Sequence, residues 1–340
     1  MLAIKDLDHL AARVHARRGR LYDGARLRAL CALGSVAELG RTLFPGDKIN
    51  APAGLEERLV ALFITETREI AACFGGDRAS LLEWQAARFQ LGNLKTMVRA
   101  LAAGADPKEA RGLLVDLPSG MEGYGKELAG IKSREDLAAA LPEGIFRDSL
   151  TWAYADYPDK NAVFFIEAAL ERDYLAELSA RAEGLGAADR ENAGSLYELE
   201  TAAFNQALAV RGKFFYGFEN KELLRLYAPC PDRKLREFKA ILAAPDLRGA
   251  LTLASGGESF PNGPEPGLAG LEALFRRRYR RAALKALRGD HLGFGTVSAY
   301  LALRRLETAD LITIAEGLRL GIGATELESR VLPGLEAEHV

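Results

Sequence analysis

An all-α fold follows from three observations on this 340-residue chain. Leu, Ala, Glu, Arg and Lys, all good helix formers, fill most segments. The alternation of Val, Ile and Thr that marks strands is nearly absent. A helix–Gly–helix pattern also recurs, with its glycines at Gly104, Gly217 and Gly321. Shifted by 217 positions, Leu94, Thr96, Leu101, Gly104 and Glu109 match Leu311, Thr313, Leu318, Gly321 and Glu326, with Asn93 opposite Asp310. In a fainter copy between them, Gly217 and Glu222 keep the same five-residue step. The period is a third of the chain, far longer than a solenoid unit. Each copy therefore reads as a small helical domain, over 1–115, 116–228 and 229–340.

Each element has a local reason. Leu55–Phe74 places Leu59, Leu62, Phe63, Ile70 and Cys73 at helical spacing, with Glu66 breaking the apolar pattern. Leu81–Leu101 reads as a long helix stopped at Gly104, since glycine accepts the left-handed conformation that ends helices. Asp106-Pro107-Lys108-Glu109 starts the next one: Asp as N-cap, Pro in the first turn, Glu three residues after the cap. Asp156-Tyr157-Pro158-Asp159 is a turn or helix start, and Asn161–Glu183 is a helical run carrying Phe164, Phe165, Ile166, Leu170, Tyr174 and Leu178. Gly184–Ser195, polar and with three glycines, predicts a loop before a helix over Leu196–Tyr216. Pro229–Pro231 breaks the chain again, and Ser255–Gly267, reading SGGESFPNGPEPG, predicts a flexible loop. The last helical segment, Tyr300–Leu332, turns at Gly321 and restarts at Thr325-Glu326-Leu327; the tail Glu336–Val340 is expected to fray.

Composition bounds function. The length favours two or three domains over one core. A net charge of −2 argues against a surface built wholly for nucleic acid. Cys31, Cys73 and Cys230 are scattered and form no CxxC pair, so neither a disulfide framework nor a zinc site is indicated; buried, reduced thiols are expected. Met1–Arg20 is studded with charges rather than built on an apolar core, and no charge-free apolar run approaches the ~18–20 residues that span a bilayer. The expectation is a soluble chain that can still sit against a membrane complex.

No constellation points to catalysis. Gly123-Tyr124-Gly125-Lys126 lacks the first glycine and the following Ser or Thr of a phosphate-binding loop. The histidines His9, His15, His291 and His339 include no pair at helical metal-ligand spacing. There is no GxSxG elbow, and the acidic pairs Glu171/Asp173 and Glu66/Glu69 are what a chain with 47 acids contains by chance. No catalytic, cofactor-binding or metal-binding residue is expected. One charge cluster stands out, with a net +6 over Glu272–Arg288. Within it Arg277, Arg281, Lys285 and Arg288 share a helix face, which reads as a solvated face, a patch docking an acidic partner, or, less favoured by the acidic remainder of the chain, a nucleic-acid contact. These four are the partner-contact candidates.

Three stretches, Asn93–Gly104, Phe165–Tyr174 and Tyr300–Glu307, together resemble the C subunit of the archaeal and bacterial V/A-type rotary ATPases, a family related to the d subunit of the eukaryotic vacuolar ATPase. Asn93-Leu94-Lys95-Thr96 with Arg99 and Gly104 is similar to the family's Asn-Leu/Ile-Lys helix. Phe165-Ile166-Glu167 through Leu170 to Tyr174 resembles its Glu-x-x-Leu-Asp…Tyr segment, with Glu171 replacing the usual Asp. Tyr300-Leu301 with Arg304 and Glu307 resembles its Tyr-Leu…Lys-Glu…Glu helix, with Asp310 replacing the usual Asn. The middle copy departs further, with Asn205-Gln206 where Asn-Leu-Lys is expected, and the arginine that often follows the final Asn is missing near Ile312 and Thr313.

The resemblance implies an all-α, funnel-shaped protein of three similar helical domains in pseudo-threefold arrangement. It implies a non-catalytic rotor subunit of the central stalk, cytoplasmic and peripheral to the membrane. Its partners would be the ion-carrying (proteolipid) ring and the central shaft, linking ATP synthesis or hydrolysis to proton or sodium transport, with no cofactor and no nucleic acid. An all-helical adaptor or scaffold unrelated to rotary ATPases is the alternative.

Overall fold

The structure, a computed structural model, describes residues 4–159, 162–230, 232–260, 267–289 and 293–331. Sixteen α-helices and one 3-10 turn account for the regular structure of these residues, and no strand occurs among them. Three short helices open the chain, α1 (Ile4–Arg18), α2 (Gly24–Cys31) and α3 (Val36–Leu43). Then come α4 (Pro52–Ala71), the long α5 (Gly76–Ala103) and the short α6 (Pro107–Leu113). After the 3-10 turn Lys126–Gly130 follow α7 (Arg134–Ala140), α8 (Ile145–Asp156), α9 (Val163–Glu183), the long α10 (Ala187–Phe214) and the short α11 (Asn220–Arg225). The chain continues through α12 (Asp232–Ala243), α13 (Leu247–Ser255), α14 (Leu268–Gly289), the long α15 (Phe294–Arg319) and the short α16 (Ala324–Val331).

The recurring glycines are the hinges of a long-helix–short-helix turn. Gly104, Gly217 and Gly321 take φ of +67°, +70° and +70°, a region where a side chain would clash with its own backbone. In each turn the residue after the glycine donates its N–H back to a small residue of the long helix, the bond that closes a helix C-terminus. These bonds are Ala105 to Ala100, Phe218 to Gly212 and Ile322 to Gly317, all 2.9 Å. The small residue makes room for the returning short helix: a Cβ on Gly212 would lie 2.3 Å from Leu223 Cδ2, and one on Gly317 2.1 Å from Leu327 Cδ2. The first copy carries Ala100 at this place and the smaller Ala110 where the others have leucine, all three short-helix residues being buried. A larger group on one helix is matched by a smaller one on the other.

The middle copy is intact rather than degraded. Its turn bond, Phe218 to Gly212, spans one residue more than the other two, so one extra residue sits between Gly212 and Gly217. Upstream of that insertion the equivalent of Asn93 is Asn205, and the two do the same work. Asn93 accepts from the Val115 N–H (3.0 Å) and donates to the Val115 and Tyr124 carbonyls (2.8 Å each). Asn205 accepts from the Ala228 N–H and donates to the Ala228 carbonyl, both 2.9 Å. Each clamps the chain leaving the short helix onto the long one. The insertion leaves Phe215 and Tyr216 about half exposed.

Other expectations divide. The capping box at Asp106 and Glu109 forms, and Glu219 and Glu222 form a second. Gly184–Ser195 is a loop only through Gly186: α10 begins at Ala187, because the polar residues there are the outer face of a helix whose inner face buries Ala193 and Leu196. Cys31 is buried, whereas Cys73 and Cys230 are half-buried; all three are free. Of the predicted 255–267 loop, 261–266 lie outside the described residues, as do Asn161, Pro231, His291 and the C-terminal tail.

The long helices pack in a closed order. α4 lies on α5, α5 on α9, α9 on α10, α10 on α14, α14 on α15, and α15 back on α4. α10 also touches α15. The N-terminal helices complete the far end of the chain: Leu27, Leu30, Leu39, Leu55 and Leu59 share one apolar cluster with Leu311, Ile314 and Leu327.

Candidate functional site

Equivalent positions of the three long helices meet. Arg88 of α5, Glu200 of α10 and Arg305 of α15 stand at the same distance before Asn93, Asn205 and Asp310. Arg88 pairs with Glu200, and the Arg305 guanidinium holds both Glu200 oxygens at 2.7 and 2.8 Å. One turn nearer the N-termini of α5 and α10, Gln85 Nε2 donates to the Tyr197 hydroxyl, which donates to Ser298 Oγ two turns before Arg305 on α15, each at 3.2 Å. All three residues are buried, and burial pushes the Tyr197 phenol well up. A buried polar chain of this kind favours one arrangement of the helices, because any other leaves its members unpaired.

From this junction charged residues fasten α5 to α9 and α15 to α4. On α5 and α9, Lys95 pairs with Glu171 and Arg99 with Glu167, while Trp84 Nε1 donates to the Tyr174 carbonyl at 3.0 Å. Burial pushes the Glu171 carboxyl up, but Lys95 and Arg88 outweigh it and hold it below the usual range. On α15 and α4, Tyr300 donates to Glu66 (2.9 Å), and Arg304 pairs with Glu66 (3.1 Å) and with Glu307. Glu307 also accepts the Tyr22 backbone N–H at 2.5 Å, tying the segment after α1 to α15. Side chains in these pairs are mostly a tenth to a quarter exposed, so solvent screens them less than ordinary surface pairs.

The residues that carry the resemblance are therefore fasteners. The Asn93–Arg99 and Glu167–Tyr174 stretches face one another across one helix pair, and Tyr300, Arg304 and Glu307 work on another. Sequence reasoning does not single out Glu66 as a site residue, yet its signal is there: it interrupts the apolar stripe of α4 at the point where Tyr300 and Arg304 arrive. Beside both interfaces lie open clefts. One, about 610 Å³, is lined by Lys95, Arg99, Glu167, Phe164, Tyr216 and Phe218; the other, about 400 Å³, by Arg17, Arg20, Tyr22, Phe44, Glu66 and Arg304.

The basic helix α14 is divided in use. Arg276 turns inward to pair with Asp310, and Arg280 lines a small pocket with Asp310, Arg18, Asp23 and Glu307. Burial pushes the Asp310 carboxyl up to about 6, outweighing Arg276. Of the four sequence candidates, Arg277 and Arg281 are brought together by Glu258: Arg281 Nη2 lies 2.8 Å and Arg277 Nη2 3.6 Å from Glu258 Oε2. Lys285 and Arg288 are exposed and meet no ion-pair partner among the described residues.

Among the described residues no group of three or more His, Cys, Asp or Glu converges to hold a metal. In the Gly123–Lys126 turn the backbone N–H groups of Gly123 and Gly125 already donate to Glu127, at 2.7 and 3.0 Å, and Lys126 pairs with Glu57. No helix among the described residues is long and apolar enough to cross a membrane.

Comparison with known proteins identifies relatives. The chain is 24% identical to the A-type ATP synthase C subunit of Methanocaldococcus jannaschii over 260 residues, covering 72% of this chain and 63% of that protein. It is 26% identical over 181 residues to the protein of the same name from Halorubrum lacusprofundi, covering 50% of this chain and 52% of the relative. Against that of Halobacterium salinarum it is 28% identical over 186 residues, covering 51% of each chain. The matches thus span between half and two thirds of the length of these relatives. The model of the ATP synthase (C/AC39) subunit family matches residues 10–330, nearly the whole chain, and this protein belongs to that family.

Proposed function

We propose that this chain is a non-catalytic central-stalk subunit of a V/A-type rotary ATPase. It joins the central shaft to the ion-carrying membrane ring, so that ATP synthesis or hydrolysis is linked to proton or sodium transport. The observation that carries this reading is the closed order of long helices with Arg88, Glu200 and Arg305 meeting where equivalent positions converge. Meeting of equivalent positions is what a pseudo-threefold axis produces. A part that transmits torque must resist shear between its units, and a ring of interlocked helices has no free end at which to yield. On this reading the chain forms a funnel of three units, over 1–115, 116–228 and 229–340, closed by α4 and the N-terminal helices packing on α15.

The protein sits on the cytoplasmic side, peripheral to the membrane and held there by its partners. The α14 face of Arg277, Arg281, Lys285 and Arg288 contacts acidic residues of the shaft or of the ring loops, most directly through Lys285 and Arg288, which meet no partner among the described residues. The test is a tagged pull-down from detergent-solubilised membranes of the source cell, with co-purifying proteins identified. The expected result is recovery of the ATPase head, shaft and ring subunits. Recovery of the chain alone, from a fraction in which that ATPase is intact, would refute the reading.

A further inference from the structure

We propose that Glu258 is a built-in stand-in for a partner's carboxylate, and that an acidic helical protein segment docks on the outer face of α14 by displacing it. The inference rests on the reading of that face as a docking surface and names what holds it closed. Glu258 receives Arg278 Nε at 2.9 Å on one oxygen and Arg281 Nη2 at 2.8 Å on the other, with Arg277 Nη2 at 3.6 Å. Three guanidiniums gathered on one carboxylate leave the cluster cationic. Arg277 Nε lies buried with no acceptor among the described residues, so this occupant does not satisfy the site. The cationic row then continues along the same face into exposed Lys285 and Arg288.

The carrier of Glu258 is suited to leaving. It follows Gly256 and Gly257, which take φ of +58° and +81° after the end of α13, and residues 256–260 belong to no helix. Among the described residues its backbone is held by Glu258 N–H to the Ser255 carbonyl at 3.1 Å and by Arg277 Nη2 to the Ser259 carbonyl at 3.0 Å, while Phe260, two residues on, packs against Gly270 of α14 and the core. Releasing Glu258 needs movement of Gly256–Ser259 only, with Phe260 left in place, and so costs little compared with undocking a packed helix. Arg281, Lys285 and Arg288 span about two helical turns, roughly 10 Å, on one side of α14. That matches a partner helix presenting carboxylates one turn apart, the first of which takes the place of Glu258 and the others those facing Lys285 and Arg288.

The test compares binding of the full-length chain and its variants to source-cell ATPase depleted of this chain, at low and moderate salt. Glu258→Gln removes the internal competitor and is expected to bind about three- to tenfold tighter, as the binding-competent fraction rises, with a steeper salt dependence. Glu326→Gln makes the same charge change on α16, away from this face, and is expected to bind like wild type. Equal tightening by both variants would reduce the effect to net charge and overturn the proposal. If Arg281→Ala/Lys285→Ala weakens binding but Glu258→Gln does not tighten it, the face docks a partner without Glu258 as competitor, and this inference alone fails. If that double variant binds like wild type, the docking face itself is wrong. If wild type does not bind, the rotary-ATPase reading fails.

Discussion

Asn93 and Asn205 sit at the same place as Asp310 in three similar helix–glycine–helix units, yet the asparagines and the aspartate are used differently. Each asparagine clasps the N–H and C=O of one residue beyond the short helix, and Asn93 also holds the Tyr124 carbonyl. Asp310 has no N–H to donate, so it cannot make that two-way clamp, and it pairs with Arg276 of α14. One atom pair, NH2 against O, thus turns a clamp within a unit into an ion pair between helices. The position keeps its geometry while its chemistry is reassigned, and an ion pair is added to the packing of α14 on α15.

The comparison breaks most severely at the clamps. Asn205→Ala leaves the buried N–H and C=O of Ala228 without partners, and at about 1–3 kcal/mol per orphaned group a loss of about 3 kcal/mol is expected in urea denaturation. Asn93→Ala should cost a similar amount. A loss below about 1 kcal/mol would mean that water or relaxation replaces the carboxamide, and the clamp would not be what closes the unit.

The turns allow a second test, in which the smaller quantity read is the coupling between two substitutions. Gly212→Ala drives a Cβ into Leu223, and overpacking of this kind costs about 1–3 kcal/mol; Leu223→Ala alone leaves a cavity worth about 2–5 kcal/mol. Together they recreate the Ala100/Ala110 pair of the first unit. The double variant is expected to fall at least about 1 kcal/mol short of the sum of the singles. The same cycle on Gly317 and Leu327 should behave alike, and strict additivity at either place would show that the size exchange does not couple the helices.

The smallest effect sharpens the comparison rather than breaking it. Asp310→Asn makes the third unit match the other two. At pH 7 it loses the pair with Arg276 and also the cost of burying a carboxylate, so a net change within about 1 kcal/mol is expected. Its signature is the pH dependence. Asp310 ionises at about 6 in the folded protein against an ordinary 3.8, so the folded state holds its proton where the unfolded state has lost it. Stability from this group therefore falls as pH rises from about 4 to about 6. Denaturation of wild type and variant across that window should show the variant lacking this slope. Parallel profiles would place the Asp310 carboxyl back in the ordinary range.

The same units mark how far sequence reasoning reaches. The turn glycines, the capping box at Asp106 and the identity of long and short helices are legible, since each depends on a few adjacent residues. The start of α10 is not, because a polar run is equally a loop or the wet face of a helix until something packs on its other side; burial of Ala193 and Leu196 decides it. The intactness of the middle copy is hidden by one residue. A single insertion before Gly217 moves Asn205 out of register with the glycine, and only the hydrogen bond to Ala228 restores the match. Glu66 is visible as an interruption of an apolar stripe, but its meaning lies on α15, more than 230 residues away. The row of Arg277, Arg281, Lys285 and Arg288 can be placed on one helix face from spacing alone, while Glu258, which occupies half of it, comes from a segment that reads only as flexible.

By itself the sequence determined an all-α chain with three helix–glycine–helix turns and the family to which it belongs, because helix periodicity, capping and left-handed glycines are local properties that neighbouring residues specify. The tertiary structure alone decided the closed order of the long helices, the meeting of Arg88, Glu200 and Arg305, and which arginines of α14 are already engaged. Those depend on groups far apart in the chain, and a charge has no meaning for assembly until the fold shows what stands opposite it.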